Sequence, residues 1–267
     1  MVIGAALVAA PNAASAAARC FGKPATIVRG SSNDTIQGTN GTDVIISGAG
    51  KDKIASGNGV DYVCSEGGDD TVDTGNSDDY LDGGEGDDEL HGYNGGDRIV
   101  GGEGEDFLDG RRGEIGDVLL GGPDDDKLLG GETLRGGDGD DRIDGTGYRN
   151  DRDTDRIAGG TGDDTISGDE SGPGNDRIDA GPGEDRVLAG RGIDYVFGGD
   201  GADEIGGGEK DDEIAGDAGD DELNGGLGDD LIEGGSGNDV CAQDEGVGEP
   251  GGCETVLAPP PAADPSV

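Results

Sequence analysis

The chain has 267 residues, with 62 Asp and Glu against 18 Lys and Arg, a formal charge of −44 at pH 7, 61 glycines and no Trp. Hydrophobic residues make up 30% and aromatics 3%, too little for one globular core, and the acid excess argues against nucleic acid and anionic membranes as partners and points to cations. No apolar run reaches the ~18 residues of a lasting transmembrane helix, so membrane insertion is not expected.

Met1 to Ala18 is apolar, Ala-rich and closes on Ala16, Ala17 and Ala18, as the small-residue rule of a secretory signal requires, although a basic start is missing. The expectation is a signal segment over residues 1–18, hence a secreted, extracellular protein; a disordered Ala-rich leader is the alternative. Residues 19–28 read as an N-terminal cap. Four cysteines agree with an oxidising compartment. Cys20 and Cys64 flank the first repeats, whereas Cys241 and Cys253 straddle the exit from the last. Pairing by end, Cys20 with Cys64 and Cys241 with Cys253, is preferred among three connectivities over a metal thiolate site, for which no short CxxC spacing exists.

From Arg29 to Asp109 the chain divides into nine uninterrupted nonapeptides. The sixth residue is always Asp: Asp34, Asp43, Asp52, Asp61, Asp70, Asp79, Asp88, Asp97 and Asp106. Two residues later comes an aliphatic: Ile36, Ile45, Ile54, Val63, Val72, Leu81, Leu90, Ile99 and Leu108. A merely solvating acidic chain has no reason to hold such a phase.

From Gly110 to Asp179 the alphabet persists but the count breaks. Two extra residues fall within 110–120, a truncated unit GGETLR spans Gly130 to Arg135, and longer loops occupy 145–158 and 168–179. Asp117, Asp126, Asp141, Asp155, Asp164 and Asp176 still precede an aliphatic by two. Insertions in a solenoid bulge from one loop without ending the stack, so one array over 29–242, irregular at 110–179, is expected. The strict count returns over Ala180 to Ala242, with Asp185, Asp194, Asp203, Asp212, Asp221, Asp230 and Asp239; Gly225 to Glu233, GGLGDDLIE, is its clearest unit. Residues 243–267 read as a C-terminal cap and a flexible Pro/Ala-rich tail.

The template is GGxGxDxUx, with U aliphatic. Glycines at one, two and four permit a tight turn whose carbonyls converge, and Asp at six adds a carboxylate. Such a hard oxygen set suits calcium better than zinc or copper. The residues xUx make a minimal strand with U inward.

On these residues the chain resembles the haemolysin-type (RTX) calcium-binding nonapeptide repeat proteins. The resemblance implies an all-β fold, a right-handed parallel β-roll (β-solenoid) in which two nonapeptides form one coil and multiple Ca2+ ions lie in the turns between successive coils. Carried over, Asp34 would share an ion with Asp52, and Asp212 with Asp230, and each sixth-position Asp named above would be a metal ligand. About eleven coils would span roughly 50 Å, and on the order of 20 six-ligand turn sites would nearly neutralise the chain. The few aliphatics cannot offset the entropy of ordering so glycine-rich a backbone, so folding and calcium binding are expected to be one event.

Departures are local. Lys210 and Asp124 replace the fourth glycine, and Lys51, Val60, Ile193 and Ala202 replace the acidic or amide residue at five. Arg111, Arg112, Arg149 and Arg152 lie near candidate sites, as markers of empty sites or as solvated charges. His91, the only histidine, sits at position nine with acids nearby that so acidic a chain makes unavoidable, and no nucleophile context accompanies it; no enzyme is expected, with an unrecognised hydrolase as an alternative. Position three, read from Ser31, Asn40, Ala49, Asn58, Gly67, Asn76 and Glu85, shows no Thr ladder of an ice-binding roll. Tyr62, Tyr80, Phe107 and Tyr195 share the outward position seven, where they could dock a protein or carbohydrate surface partner or cover neighbouring side chains.

Overall fold

The computed structural model describes residues 18–110, 116–146, 154–169, 172–242, 251–253 and 255–257. The signal expectation for residues 1–17, the four loop arginines Arg111, Arg112, Arg149 and Arg152, and the tail from 258 lie outside them.

Every repeat contributes one strand, and successive strands alternate between two parallel sheets of 12 and 13 strands lying back to back. Ile54 pairs with Val72 in one sheet and Val63 with Leu81 in the other, eighteen residues apart in each case. One coil is therefore two nonapeptides, as the resemblance implies.

The strand is longer than the expected xUx. Thr71–Asn76 and its equivalents run six residues, through positions seven to nine and into one to three of the next repeat. The reason is alternation: positions eight and one both point inward, and a small residue at one lets the second inward side chain fit. Ser47, Ser56, Ser65, Thr74, Ala180 and Ala189 are buried there. The bend comes at position two, where Gly84 takes φ 107 and a Cβ would overlap the Glu66 carbonyl oxygen of the coil before.

The aliphatics from Ile36 to Cys241 form one continuous buried column between the sheets. In the irregular middle, register is kept while chain length varies. Ile99 pairs with Leu119, Leu119 with Leu134, Leu134 with Ile157 and Ile157 with Ile178. Strand register is unbroken on either side of the two extra residues, the truncated unit and the long loops, so the array is single.

The ladders run past the nonapeptide limits. Ile27–Val28 pairs with Ile45 and Ile46, and Thr255–Leu257 with Val240–Ala242. At the start, an antiparallel hairpin of Arg19–Cys20 and Lys23–Pro24 folds onto the outer face of the 12-stranded sheet. Its Phe21 ring lies 6.3 Å from Tyr62 and 5.7 Å from Tyr80, which stack on each other at 4.9 Å, and Lys23 sits over Tyr62. Disulfides join Cys20 to Cys64 and Cys241 to Cys253, the pairing by end. Among the described residues no helix is long and apolar enough to cross a membrane.

Candidate metal centre

Position six follows the strand-turn junction of each coil, so stacking the coils places its Asp residues in two rows, one along each edge of the solenoid. One row runs Asp34, Asp52, Asp70, Asp88, Asp106, Asp126, Asp141, Asp164, Asp185, Asp203, Asp221, Asp239. In each step the backbone N–H of one Asp donates to Oδ1 of the next, at 2.6–3.1 Å. The other runs Asp43, Asp61, Asp79, Asp97, Asp117 and resumes as Asp155, Asp176, Asp194, Asp212, Asp230 in the same way. The structure thus brings all of the sequence-predicted carboxylates into register, with Asp34 beside Asp52 and Asp212 beside Asp230.

The gap between Asp117 and Asp155 is filled by a residue that sequence reasoning missed. Glu132 stands two before Leu134, which occupies the aliphatic column, and the Arg156 N–H donates to the Glu132 carbonyl as its counterparts do to Asp carbonyls. The truncated unit GGETLR is therefore a repeat with a shortened turn and Glu in place of Asp. The two-residue offset to Leu134 was the available signal.

Along much of both rows Oδ1 is occupied and Oδ2 is not, whereas near the start Asp34 and Asp43 accept through Oδ2 from Ser32 and Thr39. At Asp70, Asp88, Asp97, Asp106, Asp126, Asp141, Asp164, Asp185, Asp203, Asp212, Asp221 and Asp230 the Oδ2 atom is buried without a hydrogen-bond partner. A buried carboxylate oxygen left so is costly unless a cation meets it. Oδ2 of Asp88 and the Gly101 carbonyl oxygen of the next coil both crowd the same side of Gly83, and Asp203 with Gly216, Asp212 with Gly225, and Asp221 with Gly234 repeat the arrangement. Among the described residues no three His, Cys, Asp or Glu side chains converge as a metal-binding group. A cation here must draw on one carboxylate and on backbone carbonyls, a hard oxygen set that fits calcium.

Burial raises the pKa values of these groups, making them weaker acids. Desolvation is the largest cause throughout, opposed by the amide hydrogen bond and reinforced by neighbouring carboxylates, some in the row and some, such as Asp78 and Asp87, in the adjoining turns. It pushes Asp117 and Asp126 to about 8, Asp79, Asp88, Asp164 and Asp212 to about 7, and Asp70, Asp97, Asp106, Asp141, Asp185 and Asp203 to about 6. The metal-free turns hold charge that the protein environment itself opposes.

Position five builds a second, exposed ladder of opposite sense. Asp78 accepts the Gly96 N–H, Asp140 the Asp163 N–H, and Asp211 the Asp229 N–H. Lys51, which interrupts the acids at this position, pairs with Asp69 of the next coil. At position four the left-handed conformation is retained without glycine at Lys210 (φ 97) and Asp124 (φ 78), and also at Ser77 (φ 90). His91 lies on an outer face, 3.2 Å from Glu89 and 3.9 Å from Asp109, against the rings of Tyr93 and Phe107.

The fold and its edges define a class: a parallel β-solenoid whose turns present continuous rows of carboxylate and carbonyl oxygens to hard cations. A family model described as RTX calcium-binding nonapeptide repeat (4 copies) matches residues 29–63, 66–90, 91–114, 116–132, 129–147, 150–187, 170–205 and 206–241. The chain belongs to this family of calcium-binding β-roll repeat proteins. Comparison with curated proteins finds no match.

Proposed function

We propose that the protein is a secreted, non-enzymatic calcium-binding solenoid that folds as it binds the ion and serves an extracellular structural or surface-interaction role. The observation that carries this reading is the run of buried aspartates in the two rows, Asp70, Asp88, Asp106, Asp126, Asp203, Asp212 and Asp230 among them, whose Oδ2 atoms lack a hydrogen-bond partner. Filling those positions with cations removes the like-charge repulsion along each edge that opposes stacking coils of a chain with a charge of −44. Two disulfides, one at each end, support an oxidising compartment. His91 is held by Glu89 and two aromatic rings on an open sheet face, which supports a packing role over catalysis.

Calcium titration of the chain lacking residues 1–18, followed by far-UV circular dichroism with magnesium as control, tests the reading. A cooperative, calcium-selective gain of strand signal from a largely disordered chelated state is expected. A chelated protein already fully folded, or an equal response to magnesium, would overturn coupled folding.

A further inference from the structure

At position seven the outer face of the 12-stranded sheet changes sign of charge about one rung, while the exposed Asp179 at position nine stands on the cationic side. At position seven the rungs read Arg156, Arg177, Tyr195, Glu213 and Leu231, each paired in register with the next. At position nine they read Ala158, Asp179, Phe197, Ala215 and Glu233. Tyr195 is 43% and Leu231 53% exposed, and Arg156, Arg177, Glu213 and Glu233 are exposed as well. The Arg177 guanidinium lies 4.6 Å from the Phe197 ring centroid.

Apart from the contact of Arg177 with the Phe197 ring, the charges on this face make no ion pair among the described residues. On the other sheet, cation and acid occupy neighbouring rungs and pair directly, Arg186 with Glu204 and Arg191 with Glu209. Here Arg156 and Arg177 stand side by side, with like charges at adjacent strands, a destabilising placement. The Tyr195 rung separates Arg177 from Glu213, about 10 Å apart across two strand spacings, and neither makes an ion pair among the described residues.

We propose that this face is an isologous interface with a second copy of the chain, the two solenoids running antiparallel about a two-fold axis along the Tyr195 strand. Rotation about that axis keeps position along the strand and reverses rung order. Position seven of one copy therefore meets position seven of the other, as a self-complementary contact requires. Arg177 then faces Glu213 of the second copy, Arg156 faces Leu231 with Glu233 beside it, and Tyr195 and Phe197 meet their own counterparts on the axis. The sheets would lie about 10 Å apart, the ordinary separation of packed sheets. The proposal rests on the calcium reading, because two chains of charge −44 repel unless their edges are neutralised.

Sedimentation equilibrium of the full chain with saturating calcium at low salt tests it, with calcium-induced strand signal recorded on the same samples so that loss of the fold is told apart from loss of the contact. A dimer that dissociates as salt rises is expected. Arg177→Glu and Glu213→Arg should each weaken dimerisation at least about tenfold, and the double exchange should return it towards wild type. A calcium-folded protein that stays monomeric from about 1 to about 100 μM, single variants that dimerise like wild type, or a double variant no better than the singles would overturn the proposal.

Discussion

Asp97 donates its backbone N–H to Oδ1 of Asp117 over 2.6 Å, although twenty residues separate the two where eighteen separate most rungs. The same contact spans fifteen residues from Asp126 to Asp141 and twenty-three from Asp141 to Asp164, each at 2.8 Å. Contact geometry is thus set by the strand stack, and loop length enters only through a slowly growing closure entropy. The carboxylate rows are a property of the solenoid, which makes their electrostatics collective.

The first consequence is a pH dependence of opposite sign with and without calcium. In the chelated chain Asp70, Asp88, Asp117 and Asp126 have folded-state pKa values of about 6 to 8, above the unfolded value of 3.8. Folded protein then binds more protons than unfolded between those limits, so metal-free stability rises as pH falls from about 8 towards about 5. With subsaturating calcium, protons compete for the same oxygens and the calcium midpoint rises as pH falls. Circular dichroism at pH 8, 6.5 and 5, in chelator and in calcium, checks both. Chelated protein that gains no strand signal on acidification would contradict the raised values.

Neutralising one member of a row should separate the two states. Asp212 is pushed to about 7 by burial first, with the charges of Asp194, Asp230 and Asp211 adding to it. Asp212→Asn keeps the shape and an acceptor for the Asp194 N–H, which donates to Asp212 Oδ1 at 2.9 Å. At pH 8 the variant should need several-fold more calcium to fold, because ligand charge sets affinity. Its chelated form should be easier to order than wild type. Parallel calcium titrations and chemical denaturation in chelator read the two effects, and equal calcium midpoints for variant and wild type would remove Asp212 from the ligand set.

Two neighbouring positions in the repeat should respond differently to one added methyl. Gly84 has φ 107 and its Cβ would overlap the Glu66 carbonyl, so Gly84→Ala forces the coils apart and costs about 1–3 kcal/mol in strain alone. At Gly67 the nearest atom to a Cβ is 3.8 Å away, so Gly67→Ala should stay within about 0.5 kcal/mol of wild type. Thermal unfolding in saturating calcium compares them.

The nine-residue frame made the two columns legible because Asp and aliphatic recur whatever side of the solenoid a repeat falls on. It concealed what depends on side. Asn40, Asn58, Asn76 and Asn94 form a hydrogen-bonded amide ladder, Asn58 to Asn40 at 2.7 Å, Asn76 to Asn58 at 2.6 Å and Asn94 to Asn76 at 2.8 Å. At nine-residue spacing they are interrupted by Ala49, Gly67 and Glu85, which lie on the opposite sheet. Only an eighteen-residue count shows them as neighbours. Glu132 was hidden for a different reason: its turn is shortened, so its rung is recognisable only once Leu134 is seen to continue the aliphatic column between Leu119 and Ile157. The second inward position, occupied by Ser47 or Ala180, was not read because small residues at position one serve the turn glycine role and the packing role alike.

The disulfides should act on the ends and not on the middle. A solenoid coil contacts only its neighbours, so constraints propagate through nearest-neighbour terms. The bridge from Cys20 to Cys64 spans 44 residues and that from Cys241 to Cys253 spans 12, which in a chain-entropy view corresponds to about 4 and about 3 kcal/mol. The first also holds Phe21 against Tyr62 and Tyr80 and keeps the hairpin over the first rungs of the sheet. Replacing Cys20 and Cys64 together by Ser should therefore lower amide-exchange protection in Val44–Ala49 and Tyr62–Gly67 while Arg156–Thr161 keeps its wild-type protection in calcium. Replacing Cys241 and Cys253 should do the same for Glu222–Leu227 and Leu231–Ser236. A uniform fall in protection along the whole array, in either variant, would mean that the coils unfold as one unit and that the bridges hold the solenoid globally.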